Sequence, residues 1–342
     1  MAYKAADAQT SGAQVNGAEA NAEVWIDPDM QRAFARMAEI AVEHDLPADR
    51  SILTPEQARQ RMELDRGWWN GDRPELAKVA DTTVACPTGN VAVRLLYPTL
   101  ASGPMPVIVY LHGGGWVAGS LETHARGMHY LALKSGCLVV AVDYSRAPEA
   151  KFPDAIDETV AVVEHLVAHG REWGADPQRI ALVGDSAGAN LAVGATVALR
   201  NRGTDPIGAL GLIYGVFGDD TGTDSYQAFA SNWGLTTADM KSYFTHYLRG
   251  PADYEDPRAM PMKADVTRFP PSFLHCAGVD VLRDDSVRFD AKLRAAGVPG
   301  DLTVHDGVVH GFMGLTRMVP KAHAMINSIA RDVAAALDGV GR

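Results

Sequence analysis

The sequence predicts an α/β fold: a mostly parallel central sheet flanked by helices, with further helical segments laid over it as a cap. Three observations predict it. Short apolar runs at 106–111, 138–142, 180–183, 209–216 and 272–277 have the length of buried strands. Helical stretches at about 122–135, 154–171 and 187–201 fall between them, and strands joined through helices pair in parallel. Two blocks, 1–80 and 217–268, carry no strand signal and are too long to be plain connections.

Taken in order, residues 1–22 are rich in Ala, Gln, Asn and Gly, with one Lys and no apolar core of a signal peptide. They are expected to be poorly ordered. From Pro28, the residues Met30, Phe34, Met37, Ile40 and Ala41 recur at three- and four-residue spacing and predict an amphipathic helix. Thr54-Pro55-Glu56 starts a second, running towards Trp68 and Trp69, with proline at the first helical position. The sheet is expected from Thr82, as a hairpin turning at Pro87-Thr88-Gly89-Asn90. The strand–helix rhythm breaks only between 216 and 270, where one helical segment lies near 237–248. It resumes with a helix at 284–296, a strand at 301–305 and a closing helix at 320–337. The expected organisation is an N-terminal helical cap segment (1–80), a first core part (81–216), a cap insertion (217–268) and a second core part (269–342).

Composition removes several classes of function. The 342 residues are 47% hydrophobic and carry a net charge of −11, which disfavours nucleic acid or an anionic membrane as partner. No run approaches the ~18 continuous apolar residues that span a bilayer. Cys86, Cys137 and Cys276 are odd in number and far apart, so reduced thiols and a cytoplasmic location are expected.

The chemistry gathers around Gly184-Asp185-Ser186-Ala187-Gly188, which follows the apolar run 179–183 and precedes the small, apolar run 187–199. Strand, sharp turn and helix make G-x-S-x-G a nucleophile elbow. A serine hydroxyl is a poor nucleophile and needs a base, an orienter and an oxyanion hole. His112-Gly113-Gly114-Gly115-Trp116 follows the run 107–111. Its glycines let N–H groups turn into a cavity, with Gly114, Gly115 and Ala187 as the candidate oxyanion donors. His112 is read as a brace for that loop, with Gly113 and Asp185 as supporting motif residues. Asp280 ends the run 273–279, at the carboxyl end of a strand, where α/β sites gather. Asp284 and Asp285 compete with it, but at a helix start carboxylates commonly cap N–H groups. His310, in Val308-Val309-His310-Gly311-Phe312 beyond the last strand, is the candidate base, and His305 within that strand is its rival.

These motifs carry a family resemblance. His112 to Gly115, Gly184 to Gly188, Asp280 to Asp285 and His310-Gly311-Phe312 resemble the bacterial hormone-sensitive-lipase-like (family IV) carboxylesterases. So does Asp143-Tyr144-Ser145-Arg146-Ala147-Pro148-Glu149 with Phe152-Pro153. The likeness covers about residues 80–342. It implies the α/β-hydrolase fold, Ser186, Asp280 and His310 as triad, the glycine loop as oxyanion hole and a helical cap. Two positions depart: Ser145-Arg146 stand where the family usually has Arg-Leu, and Val281 replaces a common proline. The first is expected to alter contacts beneath the oxyanion loop.

The expected activity is hydrolysis of short- to medium-chain carboxylic esters through an acyl-enzyme, without metal or cofactor, on a small-molecule substrate. A homodimer is compatible with the sequence. Amide, lactone or acetyl-group hydrolysis would use the same triad. A non-catalytic small-molecule receptor, known in this family with its histidine lost, is disfavoured because His310 is retained. The aromatics of the two cap blocks (Trp68, Trp69, Phe229, Trp233, Tyr243, Phe244 and Tyr247) are expected to pack the cap and to narrow the cleft over Ser186.

Overall fold

A computed structural model of the chain describes residues 24–47, 53–101 and 103–339; the expectation for 1–22 lies outside them. The strands are β1 (Lys78–Cys86), β2 (Gly89–Tyr97), β3 (Met105–Leu111), β4 (Leu138–Asp143), β5 (Ala175–Asp185), β6 (Ile207–Ile213), β7 (Ser272–Val279) and β8 (Gly300–Val309). They form one eight-stranded sheet in the order β1-β2-β4-β3-β5-β6-β7-β8. β2 is antiparallel to both neighbours, and every other pairing is parallel. The mostly parallel sheet read from the strand–helix rhythm is thus the one found.

The long helices are α1 (Pro28–Glu43), α2 (Pro55–Trp69), α3 (Ala125–Ser135), α4 (Asp154–His169) and α5 (Ala187–Asn201), followed after a short α6 (Asp224–Ala228) by α7 (Thr237–Tyr247), α8 (Arg283–Ala295) and α9 (Pro320–Gly339). Right-handed crossovers fix which face each helix covers. The chain steps from β3 to β4 in one direction across the sheet and from β4 to β5 in the other, so α3 and α4 lie on opposite faces. α3 accordingly packs with α9, and α4 with α5. The strands between them are closed to solvent: β3 from Val107 to Leu111 and β4 from Leu138 to Val142 are fully buried. α5 is buried along 187–199, which explains its Ala, Gly and Val content, because only small side chains let a helix lie so close to a sheet.

The helix starts carry their own chemistry. Thr54 accepts the N–H of Gln57 while Gln57 Oε1 accepts the N–H of Thr54, a reciprocal box that satisfies two otherwise orphaned donors at the head of α2. Thr236 and Asp239 repeat it at the head of α7. α1 buries Met30, Ala33 and Ile40, the inner side of the expected apolar stripe.

Several boundaries differ from the sequence reading, three of them in the outer strands. β1 begins at Lys78, not Thr82, because Lys78 pairs with Tyr97 on an edge whose exposed residues hide the strand signal. The hairpin turns on Pro87-Thr88 alone, with Cys86 opposite Gly89, so Gly89 and Asn90 belong to β2. β8 runs on to Val309. A register irregularity between Ala277 and Val279 lets the ladder resume at Val279–Val309 beyond Asp306-Gly307, a pair that reads as a turn in sequence. His310 therefore follows the strand directly.

Candidate active site

Ser186 sits between β5 and α5 with φ 55° and ψ −120°. That is a backbone region non-glycine residues rarely occupy, held here by its surroundings. Its N–H donates to Ile213 O at 2.8 Å. A Cβ on Gly184 would overlap the backbone of Gly188, and one on Gly188 would overlap Leu111 O. The elbow can be this tight only because both flanking positions are glycine.

His310 Nε2 is 2.9 Å from Ser186 Oγ, and His310 Nδ1 is 2.7 Å from Asp280 Oδ2. The other Asp280 oxygen accepts the N–H of Leu282 at 3.0 Å. The Asp280 side chain is fully buried, whereas the His310 ring keeps some exposure. Tyr214 lies 4.7 Å from the His310 ring, centroid to centroid, and limits its tilt. A hydroxyl, an imidazole and a buried carboxylate in this sequence can draw a proton from the serine and steady the resulting cation.

The glycine loop is held from below. Asp185 Oδ1 accepts the Tyr110 hydroxyl at 2.7 Å and the Gly113 N–H at 2.9 Å. His124 and the Tyr214 hydroxyl approach Oδ2 at 3.5 and 3.4 Å. Burial alone would raise the Asp185 carboxyl, but His124 and the Tyr110 hydroxyl hold it below the usual carboxylate range. His112 Nδ1 bonds Gly113 O at 2.8 Å, and its ring stacks on Tyr144 at 4.3 Å. Burial pushes His112 down to about 3, so its imidazole is neutral and braces the loop. Tyr144 donates to His112 O at 2.7 Å. Arg146, one of the two departures from the family motif, donates to Gly119 O, while Ser145 turns away to Glu158.

Ser186, His310, Gly114 and Gly115 border one cavity of about 210 Å³. Ala187, next to the serine, is the first residue of α5, where a helix has N–H groups without intrahelical acceptors. The structure thus brings together Ser186, Asp280 and His310, and sets Gly113, Gly114, Gly115, Asp185 and His112 beside them. It separates the rivals. His305 Nε2 faces His275 Nδ1 at 2.9 Å. Asp285 accepts the N–H groups of Phe217 and Gly218 at 2.8 and 3.1 Å, and Asp284 accepts that of Ser225. These two carboxylates therefore do not cap their own helix, as expected from sequence, but tie down the start of the 217–268 block. Burial pushes Asp285 up to about 7 against those two donors.

Of the seven aromatics expected to pack the cap and to narrow the cleft, Tyr243 alone borders the cavity. Trp69 and Tyr247 are buried, Tyr247 stacked face to face on Trp116 of the glycine loop at 4.3 Å. Phe34, Met37, Met62 and Leu235 are among the apolar cap residues that border the cavity as well. Arg59 was not legible as a site residue: from α2 it donates to Val117 O and Ala147 O, both at 2.8 Å. It carries no motif, and only tertiary placement reveals it.

A strained serine at the carboxyl edge of a parallel sheet, in line with a histidine and a buried aspartate, defines a serine hydrolase of the α/β-hydrolase class. The family model for the α/β-hydrolase fold matches residues 108–314. Among curated proteins, the acetyl esterase of Salmonella schwarzengrund is 37% identical over 289 residues, covering 83% of this chain and 87% of the relative. Among solved structures, the hyperthermophilic esterase of the archaeon Pyrobaculum calidifontis superposes with a TM-score of 0.85 at 28% identity, over 91% of this chain and 99% of that one. A thermostable esterase of Pseudomonas putida gives 0.84 at 28% identity, over 92% and 98%. The chain belongs to the hormone-sensitive-lipase-like (family IV) carboxylesterases, and its activity is that of a serine carboxylesterase. Among the described residues, no helix is long and apolar enough to cross a membrane.

Proposed function

We propose that Ser186 is the nucleophile, His310 the general base, Asp280 its orienter, and Gly114, Gly115 and Ala187 the oxyanion donors in hydrolysis of short-chain carboxylic esters. The observation that carries the assignment is the unbroken chain from Ser186 Oγ through both His310 nitrogens to Asp280 Oδ2. His310 takes the serine proton as Oγ attacks the ester carbonyl, and Asp280 fixes the tautomer and stabilises the imidazolium. The N–H groups receive the negative charge of the tetrahedral intermediate. The histidine then returns its proton to the departing alkoxide, and water repeats the cycle on the acyl-enzyme.

Residues 24–47, 53–77 and 217–268 act as the cap; the expected boundary at 80 falls inside β1, which begins at Lys78. Support comes from α2 and α7, which both contribute to the roof of the cavity. The volume of about 210 Å³ is below the ~300–1,000 Å³ of sites for drug-sized ligands, which favours acyl chains of about two to eight carbons with the short end preferred. The acetyl esterase relatives favour the same end. A cytoplasmic location is supported by three free cysteines, of which burial pushes Cys137 up to about 11 and Cys276 up to about 12.

The test is Ser186→Ala. It should lower kcat by several orders of magnitude, ~10⁶ in a comparable triad, with circular dichroism and thermal unfolding unchanged. Ready turnover of p-nitrophenyl acetate by a correctly folded variant would refute the nucleophile.

A further inference from the structure

Arg66 lies in the last turn of α2, and its guanidinium rests on the turn that follows His310. A Cβ on Gly314 would overlap Arg66 Nη1, and one on Gly311 would come within 3.1 Å of Nη2. Two glycines in the five residues 310–314 thus leave the room the guanidinium fills. Arg66 also borders the cavity that holds Ser186 and His310. Its charge is felt beneath, where it counts among the influences on Tyr214, the ring packed against His310.

Among the described residues this cation has no counter-ion. Several other arginines of this region are matched: Arg36 with Glu43, Arg59 with Glu149, Arg73 and Arg94 with Glu122, Arg317 with Asp72. The Arg66 guanidinium makes no hydrogen bond or ion pair with any described residue. Three carboxylates share the cavity wall with it, and Asp185 among them is taken up by Tyr110, Gly113 and His124. Asp239 is held by the head of α7 through Thr236. Asp65, one position back, is turned about 100° round the helix and forms no ion pair with Arg66. In a chain with 42 acidic residues against 31 basic ones, an unmatched guanidinium beside the catalytic histidine is a group awaiting an anion.

The side of the substrate it faces follows from the reaction. His310 Nε2 must hand its proton to the leaving alkoxide oxygen, so the alcohol portion of the ester lies along the histidine. Arg66 sits on the histidine turn. A guanidinium recognises a carboxylate through paired N–H donors of fixed geometry. We propose that Arg66 is a specificity-determining residue that selects esters whose alcohol portion carries a carboxylate. This rests on the esterase reading above and narrows its substrate class. A merely structural role for Arg66, such as favouring the carbonyl end of α2, would be indifferent to the charge of the substrate.

The experiment compares 4-acetoxybenzoate, anionic at pH 7.5, with the neutral 4-acetoxybenzamide of the same shape, and p-nitrophenyl acetate as a reporter of esterase activity. The unaltered enzyme should prefer the anion in kcat/KM, and that preference should shrink as sodium chloride is raised from about 20 to 500 mM, through screening. Arg66→Gln should lower kcat/KM for the anion at least about tenfold more than for the amide, mainly through KM, while Arg66→Lys should keep most of the preference. An anion-to-amide ratio left unchanged by Arg66→Gln, or no preference in the unaltered enzyme, overturns the proposal while leaving the esterase reading intact. If the unaltered enzyme fails to hydrolyse p-nitrophenyl acetate as well as both benzoyl substrates, the esterase reading falls and takes this proposal with it.

Discussion

The carboxylate of Asp185 accepts the N–H of Gly113 at 2.9 Å, so the residue beside the elbow serine fixes the loop that faces it. The two halves of the site are built as one piece: whatever moves β5 moves the glycine loop. As proposed oxyanion donors, the N–H groups of Gly114 and Gly115 would act only as charge develops on the carbonyl oxygen, so loosening the loop should act on kcat and spare KM. Asp185→Asn retains one acceptor oxygen but puts an amide where Tyr214 and His124 approach. It is expected to lower kcat by about 10², near the ~10²–10³ for loss of one oxyanion donor. Steady-state kinetics on p-nitrophenyl butyrate decides this. A fall confined to KM would mean that the loop positions the ground state instead.

Three aspartates compete in sequence for one role, and the geometry makes a sharp distinction between them. Asp280→Asn should cost ~10⁴ in kcat by favouring the wrong imidazole tautomer, as in serine-protease triads. Asp284→Asn and Asp285→Asn leave the imidazole contact untouched. They loosen the attachment of 217–268 instead, and should appear in thermal unfolding and in limited proteolysis near residue 218. Either of them proving more damaging to kcat than Asp280→Asn would sink the assignment.

How far these features could be read beforehand follows from their physical range. The elbow, the glycine loop and the Asp280–His310 pair are written in residue types that the chemistry demands, at the ends of apolar runs that declare themselves as strands. β1 and the end of β8 were harder. They are the two edges of the sheet, where exposed Lys78, Asp301 and Asp306 dilute the strand signal. The partners of Asp285 and Arg59 lie 67 or more and 58 or more residues away. No local pattern encodes such a meeting. The same holds for the roof: an aromatic-rich segment can be recognised, but which ring faces the cavity is set by the angle at which α7 crosses the glycine loop.

Acid should destabilise the fold before it affects carboxylates at large. Burial pushes His112 and His275 down to about 3 and His305 to about 4, against ~6.5 in an unfolded chain. Lys321 and Asp306 act on His305, and His305 itself, then Asp332 and Arg331, act on His275. Between those limits the unfolded chain binds protons that the folded one refuses. Asp285, raised to about 7, takes up a proton in the folded state over the same range and offsets about one histidine, so stability is level above about pH 7 and, with three histidines against one carboxyl, still falls as pH drops from ~6.5 towards 4. Each such histidine contributes a slope of up to ~1.4 kcal/mol per pH unit. Urea midpoints measured at pH 8, 6.5, 5.5 and 4.5 should show that decline. His305→Gln, which keeps a hydrogen-bonding group opposite His275, should flatten it by about one histidine's share. An identical slope in the variant would show that the pair does not titrate in this way.

Tyr243 is the residue expected to limit the length of acyl chain the site accepts. Its ring lies directly on Gly115, so that any Cβ there would strike the ring at about 2.5 Å. It reaches this position because α7 is anchored near its tail by Tyr247 stacked on Trp116 of the glycine loop. A ring so placed closes the cavity above Gly115, one of the proposed oxyanion donors. Each methylene buried from water is worth about 0.8 kcal/mol, so kcat/KM should rise with chain length only until the acyl group meets the ring. Beyond that, further methylenes stay wet or lift α7. In the unaltered enzyme the maximum should fall at about two to eight carbons in a p-nitrophenyl ester series. Tyr243→Ala removes the obstacle without touching Ser186, Asp280 or His310. It should move the maximum to longer chains, raising the octanoate-to-acetate ratio of kcat/KM about tenfold or more. Gly115→Ala is the converse variant. The added methyl must push the ring aside, and it should lower turnover on every chain length because it also disturbs the oxyanion loop. An optimum that stays in place in Tyr243→Ala would assign the length limit to Phe34, Met37 and Met62 on the other wall. A maximum at fourteen carbons or beyond in the unaltered enzyme would refute closure altogether.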